Sequence, residues 1–264
     1  MALSLSELRI YPVKSAAGSV VRVADVDRFG LAGDRRWMLI DERGDFVTQR
    51  TQPRLCLVQA TLTPSGLNLA ATGFPPLDVA TPRATPLRRV QVWADSCQGR
   101  DGGEAAALWL SRFLGMRVRL VHMPGEVRRP VDTAYAPPGK TVSFADGFPF
   151  LLISQASLAA LNERLAEPVS MTRFRPNLVV SGGCGFQEDE WRRIRIGEVV
   201  FSVVKPCERC RVTTVDPATG ERGREPLKTL AAFRRAGNQV LFGQNLVQEN
   251  EGRLQVGDPV VVLA

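Results

Sequence analysis

The chain has 264 residues, of which 44% are hydrophobic, and its formal net charge is +7. This composition is typical of a folded globular protein and excludes global disorder. No apolar stretch of about 18 residues and no N-terminal signal segment occurs, so we expect a cytoplasmic protein with no membrane partner. Its five scattered cysteines exclude a dense disulfide framework.

The positive charge comes from thirty arginines and only four lysines. A GC-rich genome would explain this excess as well as a need to bind anions would. Nucleic acid, an anionic cofactor and an acidic protein partner would all suit a basic chain. Because the arginines are dispersed rather than grouped in a stripe, we expect no nucleic-acid partner.

The N-terminal quarter of the chain alternates short apolar runs with Gly, Pro and Asp, a pattern typical of strands and turns. The runs that predict strands are 8–13, 20–26, 37–40, 55–62 and 67–71. The turn residues that follow position 40 predict a hairpin with a longer loop.

Three segments with a helical spacing of apolar residues predict helices. The first covers 103–114 and ends at Gly115, a residue type suited to a C-cap. The second is 155–165, with Ser154 as its N-cap. The third is 225–233, with a proline in its first helical position.

Strands fill most of the remaining sequence. The predicted ones are 117–121, 178–180, 194–204, 212–215 and 254–263. Since strands dominate, we predict a mainly β (α+β) protein with a β-barrel and peripheral helices. The Pro- and Arg-rich segment 123–140 predicts a linker, and hence a β domain at 1–122 and a second domain at 123–264. The first strands could also pack on the second domain.

The segment 205–210 contains a Cys-x-x-Cys pair, Cys207 and Cys210. Such a pair can be half of a zinc or iron-sulfur site, a dithiol redox couple, or one activated thiolate next to a second cysteine that takes no part in the chemistry. Zinc is disfavoured because the other cysteines and the single histidine have no matching spacing. A thioredoxin-like couple is disfavoured because 211–215 is typical of a strand, whereas that motif precedes a helix.

An activated thiolate is favoured by three neighbouring cations, Lys205, Arg209 and Arg211, which would stabilise the ionised sulfur. A soft thiolate suits a transition metal. The alternative, that both cysteines are small buried hydrophobic residues, stays open.

Four other short segments are rich in basic and polar side chains, namely 11–15, 33–37, 174–177 and 242–245. Ammonium, hydroxyl and guanidinium groups all bind phosphate. Any one of these segments alone is more typical of a solvated surface, but together they have the composition of an anion-binding site.

Taken in chain order, these segments resemble the MOSC proteins, in particular the branch of the mitochondrial amidoxime reducing component and of bacterial relatives that detoxify N-hydroxylated bases. The likeness runs from about Tyr11 to Val262 and is most specific over 205–217, 225–230 and 242–245. It implies an N-terminal β domain, a MOSC β-barrel, and a molybdenum cofactor (Mo-molybdopterin) held between them.

The resemblance also implies roles for individual residues. Cys210 would be the metal ligand and a catalytic residue. Asp189, in an acidic segment matching one near the family's active site, would donate a proton, although a solvated turn is the alternative. The residues that would hold or line the cofactor are Lys14, Ser15, Arg35, Gly147, Phe148, Arg175, Asn177, Glu208 and Asn245.

The activity implied is a molybdenum-dependent oxidoreductase that removes oxygen from N-hydroxylated compounds such as hydroxylaminopurines and amidoximes. A separate iron-sulfur or flavin protein would supply electrons to what we expect to be a monomer. A second interpretation within the family is a sulfur carrier or cofactor-handling module that uses a Cys210 persulfide. A third is a non-catalytic basic binding module in which the cysteines are structural.

Overall fold

The computed structural model describes residues 2–264, and strands make up most of its regular structure. The strands of this range are β1 (Ser4–Ile10), β2 (Ser19–Val21), β3 (Val23–Asp27), β4 (Gly30–Leu31), β5 (Trp37–Ile40), β6 (Gln59–Thr63), β7 (Gly66–Ala71), β8 (Phe74–Ala80), β9 (Leu87–Val92), β10 (Asp95–Asp101), β11 (Arg119–His122), β12 (Phe150–Ser154), β13 (Leu178–Ser181), β14 (Arg193–Ile196), β15 (Val199–Glu208), β16 (Arg235–Ala236), β17 (Gln239–Gln248), β18 (Gly252–Gln255) and β19 (Val260–Val262). The α-helices are α1 (Glu104–Leu114), α2 (Gln155–Asn162) and α3 (Leu227–Phe233). The predicted mainly β architecture with few helices is confirmed.

The largest sheet is a barrel formed mainly by the C-terminal strands. Its strand order is β19-β14-β15-β17-β12-β13-β1-β2, with β16 added on β17 and with β12 and β13 parallel. The sheet closes because the start of β1 also pairs with the chain entering β19. Ser4 bridges Pro259, and the Leu5 amide donates to the Asp258 carbonyl at 2.9 Å. The predicted barrel is therefore present.

Alternation along the strands fills the barrel. In β14, Ile194 and Ile196 are fully buried, whereas Arg193 is exposed and Arg195 is half-buried on the other face. Phe150 and Phe201 pack edge to face inside the barrel, with ring centroids 5.0 Å apart. The packed interior thus anchors β12 and β15, two strands that contribute residues to the site described below.

The N-terminal part contains two smaller sheets, ordered β5-β11-β10-β9 and β6-β7-β8. Helix α1 packs on β8 and β11, and its Trp109 and Phe113 lie edge-on to Phe74 at 5.4 and 5.3 Å. Gly115 adopts a left-handed conformation (φ 68°) at the end of α1, so the predicted C-cap is confirmed.

The first four strands join the C-terminal strands rather than these two sheets. Strands β1 and β2 belong to the barrel, and β3 pairs with both β4 and β18. The domain boundary after residue 122 stays a prediction.

The segment 123–140, predicted as a linker, is packed into the molecule. Val127 and Val131 are buried, and Arg129 is only 2% exposed. The Arg129 guanidinium donates to the carbonyls of Ser143 (2.9 Å), Ala145 (2.5 Å) and Asp146 (2.9 Å). This segment therefore supports the loop that leads into β12.

The other two helices begin close to their predicted starts. The Ser154 hydroxyl accepts a hydrogen bond from the Ser157 amide at 3.0 Å, which confirms the N-cap of α2, although that helix ends at Asn162. Pro226 precedes α3 instead of occupying its first position. None of the α-helices in residues 2–264 combines the length and apolar character needed to cross a bilayer.

The strand predicted at 212–215 is wrong, because Arg211–Thr214 forms a single turn of 3-10 helix. The Thr213 hydroxyl donates to the Cys210 carbonyl at 2.9 Å, and the Thr214 hydroxyl donates to the Arg211 carbonyl at 2.8 Å. These bonds stabilise a turn in place of the extended chain that two threonines favour by propensity.

Three of the longer predicted strands, 55–62, 194–204 and 254–263, are interrupted or shortened in the structure by turns. A 3-10 helix at Pro53–Leu57 precedes β6. Gly197 (φ 54°) separates β14 from β15, and Gly257 (φ 101°) separates β18 from β19. Glycine at positive φ ends a strand without steric cost.

Candidate functional site

A cavity of about 150 Å³ lies where the barrel meets the N-terminal segments. Ten of the eleven predicted site residues line it: Lys14, Ser15, Arg35, Gly147, Phe148, Arg175, Asn177, Glu208, Cys210 and Asn245. Residues far apart in the sequence therefore converge on one space, as an anion-binding site requires.

Cys210 is half-buried and lies two residues after the end of β15, at the N-cap of the 3-10 helix. Its sulfur accepts a hydrogen bond from Nη2 of Arg50 at 3.2 Å. The sulfur of Cys207 accepts instead from Nη1 of Arg209, at 3.0 Å. Each thiol thus accepts a hydrogen bond from its own arginine.

The three cations predicted to flank the thiols do not all do so. Arg209 contacts Cys207, but the Lys205 ammonium lies over the Tyr135 ring, 5.1 Å from its centroid. Arg211 is exposed. The cation that contacts Cys210 is Arg50, which local sequence reasoning could not identify because it lies 160 positions away.

The argument first raised against a dithiol redox couple was that a strand follows the two cysteines. That argument does not hold, because a turn of 3-10 helix follows them. The geometry disfavours it on other grounds, because the two sulfurs hydrogen-bond to different arginines. Cys207 and Cys210 are both free thiols. Within residues 2–264, no three His, Cys, Asp or Glu side chains are grouped to hold a metal ion.

Two arginines of the cavity stack on one tyrosine. The guanidinium carbons of Arg35 and Arg175 lie 4.5 and 4.3 Å from the centroid of the buried Tyr11 ring. Arg35 also donates to Asp34 at 2.6 Å and to Asn177 at 2.9 Å. Asn177 thus acts on the cavity partly by fixing the position of Arg35.

Arg175 has an unused donor. Its Nη1 donates to the Ala16 carbonyl at 2.6 Å, but its buried Nη2 has no partner in the part of the chain that the structure describes. Burial lowers the pKa of Arg175 to about 10, which leaves it a cation at neutral pH. A buried donor without an acceptor costs about 1–3 kcal/mol, so a ligand oxygen or nitrogen in the cavity would stabilise this site.

Backbone strain is concentrated around the cavity. Ser15 (φ 66°), Arg35 (φ 47°) and Arg175 (φ 58°) all line it and all adopt left-handed conformations. A non-glycine residue pays about 1–2 kcal/mol for this conformation. Strain of this kind clusters at functional sites.

Lys14 is held inside the cavity wall, with 4% of its surface exposed. Its Nζ donates to the Phe144 carbonyl at 2.7 Å and to Oδ1 of Asp146 at 2.5 Å, which leaves one N–H donor. Burial lowers the pKa of Lys14 to about 8, against the attraction of Asp146. The Lys14 ammonium and the Arg50 guanidinium hold the pKa of the Asp146 carboxyl below its usual range.

Asp189 is the predicted site residue that does not line the cavity. It ends the 3-10 helix Gln187–Asp189, where its Oδ2 accepts from Arg234 at 2.5 Å and its Oδ1 accepts from Gln244 at 2.7 Å. Both carboxylate oxygens are used to tie this turn to β17 and to the end of α3. The geometry therefore gives no support to Asp189 as a proton donor.

Three residues of the site region were not predicted: Arg50, Trp93 and Asp146. Arg50 stacks on the Trp93 ring, with its guanidinium carbon 4.4 Å from the ring centroid, and its Nη2 lies 3.5 Å from Oδ2 of Asp146. The Trp93 indole donates to Oδ1 of Asp146 at 3.2 Å. The sequence analysis assigned no strand around Trp93, and the structure places this residue in a short turn between β9 and β10, where Gly or Asn is usual.

The chain is similar to known protein families and to known proteins over most of its length. Residues 2–117 match the MOSC N-terminal beta barrel domain, and residues 139–261 match the MOSC domain. Mitochondrial amidoxime-reducing component 1 of Homo sapiens is 40% identical over 98% of this chain and 83% of that protein. Mitochondrial amidoxime reducing component 2 of Rattus norvegicus is 38% identical over 97% of this chain and 82% of that protein. The YUAD protein of Bacillus subtilis shares 12% identity over 98% of this chain and 94% of its own, with a TM-score of 0.46, which is too low to bear on the site.

Proposed function

The chain belongs to the MOSC family, and we propose that it is a molybdenum-cofactor-dependent reductase that removes oxygen from N-hydroxylated compounds. The observation that carries the proposal is the convergence of Cys210 with Lys14, Arg35 and Arg175 on one cavity. The names of the similar proteins, amidoxime-reducing components, favour a reductase over a sulfur carrier.

The cavity suits a ligand that is anionic and rich in hydrogen-bonding atoms. A molybdopterin carries a phosphate and an anionic dithiolene, and the buried Nη2 of Arg175 requires an acceptor. Lys14, Ser15, Arg35 and Arg175 would hold the phosphate and the ring. Cys210 would contribute a thiolate ligand to the metal, a role that suits a soft sulfur beside a guanidinium. The remaining wall would be formed by Gly147, Phe148, Asn177, Glu208 and Asn245.

The reaction consumes two electrons and two protons for each N–OH group, breaks the N–O bond, and releases the amine or amidine and one water. The bound cofactor supplies two-electron redox chemistry at its metal. Arg50 orients the Cys210 sulfur through their 3.2 Å contact, and the cations of the wall bind the anionic cofactor. We further propose that a separate iron-sulfur or flavin protein returns the electrons.

The test is the molybdenum and pterin content of protein purified from cells that make the cofactor, compared between wild type, Cys210→Ser and Cys207→Ser. Cys207→Ser is the matched control, because it removes the neighbouring thiol but not the proposed ligand. We expect wild type and Cys207→Ser to carry stoichiometric molybdenum and to reduce N-hydroxylated compounds with an artificial donor. Cys210→Ser should lose both properties.

Two results would overturn the proposal. Equal molybdenum in all three proteins would show that Cys210 is not the ligand. Wild-type protein that contains neither metal nor pterin but carries an added sulfur on Cys210 by mass analysis would identify a sulfur carrier instead.

A further inference from the structure

Trp93 is a large aromatic side chain that contacts two residues lining the cavity, Arg50 and Asp146. It occupies the two-residue turn between β9 and β10, and it is 45% exposed. Its backbone is left-handed (φ 57°), which costs a bulky residue about 1–2 kcal/mol. Such turns ordinarily use Gly or Asn. An exposed tryptophan at positive φ is therefore an unusual residue for this turn.

The indole is nevertheless held in one orientation by three contacts. Its Nε1 donates to Asp146 at 3.2 Å, the Arg50 guanidinium covers one face at 4.4 Å, and Phe46 meets the ring at 4.9 Å with an interplanar angle of 63°. A fixed aromatic surface binds a flat partner with little loss of conformational entropy.

The ring also lies close to the proposed metal ligand. Arg50 contacts both the indole and the Cys210 sulfur, so the ring centroid lies within about 9 Å of that sulfur, given the two measured distances and one C–N bond. A small conjugated molecule spans this distance. A substrate reacting beside Cys210 can therefore reach Trp93 with its remote end.

We propose that Trp93, together with the Arg50 guanidinium, forms a stacking surface that selects flat, conjugated N-hydroxylated substrates over saturated ones. This inference rests on the proposed reductase function and adds a specificity-determining residue to it. The stacking contact is made with the part of the substrate that does not react, so Trp93 acts mainly on substrate binding.

The experiment compares benzamidoxime, which has a flat ring, with cyclohexanecarboxamidoxime, which has a saturated ring of similar size. The variants are Trp93→Asn, which keeps a residue tolerant of the left-handed turn, and Trp93→Phe, which keeps an aromatic ring. Leu108→Asn is the control, because it removes another exposed hydrophobic side chain, on α1, away from the cavity. Rates are expressed per bound molybdenum, so that a change in cofactor content does not enter the comparison.

Trp93→Asn should lower the ratio of kcat/KM for the flat over the saturated substrate by about three- to tenfold, mainly through KM for benzamidoxime. Trp93→Phe should keep most of the ratio, and Leu108→Asn should leave it unchanged. If Trp93→Asn still reduces both substrates and its ratio is unaltered, the inference is overturned. Molybdenum-loaded wild type that reduces neither substrate would overturn the proposed function.

Binding of benzamide, a flat neutral molecule without an N–O bond, gives a readout that needs no turnover. Wild type should bind it more tightly than cyclohexanecarboxamide, and Trp93→Asn should abolish that preference. Equal affinities in the wild-type protein would count against a stacking surface whatever the enzymatic result.

Discussion

The guanidinium of Arg50 donates to the sulfur of Cys210 across 3.2 Å, and this bond joins an N-terminal segment to the residue proposed to bind the metal. The same guanidinium lies 3.5 Å from Asp146 and stacks on Trp93. Its position is thus fixed on three sides. Arg50 is therefore the residue through which the N-terminal segments act on the proposed metal ligand.

Arg50→Gln should weaken cofactor retention by about tenfold or more, because a charge-assisted hydrogen bond to the sulfur and a cation of the cavity are lost together. Molybdenum content after extended dialysis measures this. Arg54→Gln is the control, since Arg54 stacks on Phe113 at 4.9 Å and makes no contact with the sulfur. Equal loss from both variants would show that only general positive charge matters.

The segment 123–140 supports the site through Arg129, so Arg129→Met should destabilise the protein by about 3 kcal/mol. The substitution leaves the carbonyls of Ser143, Ala145 and Asp146 without their buried donor. Urea unfolding measures the difference. The control is Arg128→Met at the neighbouring exposed position, which should change the free energy of unfolding by less than about 0.5 kcal/mol. Equal changes in the free energy of unfolding for the two variants would show that 123–140 is a linker that does not support the site.

Sequence reasoning found the parts of the site that lie in contiguous motifs. Cys210 belongs to a compact motif, and Lys14, Arg35 and Arg175 each stand in a short basic segment. Their convergence on one cavity depends on barrel closure, which no local pattern encodes. Arg50 could not be predicted at all, because its contact with Cys210 exists only in the folded chain.

Asp189 lies outside the cavity for a simple geometric reason. Successive residues of a strand point to opposite faces, so Asn245 lines the cavity whereas the adjacent Gln244 points away from it and binds Asp189. An acidic segment near this strand could serve either face. The resemblance placed this acidic segment near the site, but it could not say which face of β17 the segment meets.

His122 should make the stability of the protein depend on pH in the acid range. Burial lowers its pKa to about 4, and its ring lies 4.7 Å from that of Trp37. Since the unfolded chain binds the proton with a pKa near 6.5, the folded state loses stability as pH falls from about 6.5 to 4, by about 2–3 kcal/mol. His122→Phe keeps an aromatic ring beside Trp37 and removes the proton site. Comparing urea unfolding of the two proteins at pH 4.5 and 7 tests this, and an equal loss of stability in both would contradict it.

Deprotonation of Lys14 should weaken anion binding at alkaline pH. Its folded pKa of about 8 lies below that of a free lysine, so between about pH 8 and 10.5 the folded protein releases the proton while the unfolded chain keeps it. Over this range stability rises with pH, because the cost of burying a charged ammonium disappears, but the cavity loses a cation. Binding of pyrophosphate to cofactor-free protein, followed by calorimetry, should therefore weaken severalfold above about pH 8. In Lys14→Arg the affinity should persist through pH 9, because a guanidinium stays protonated there. A parallel decline in both proteins would place the titrating group elsewhere and remove Lys14 from the anion site.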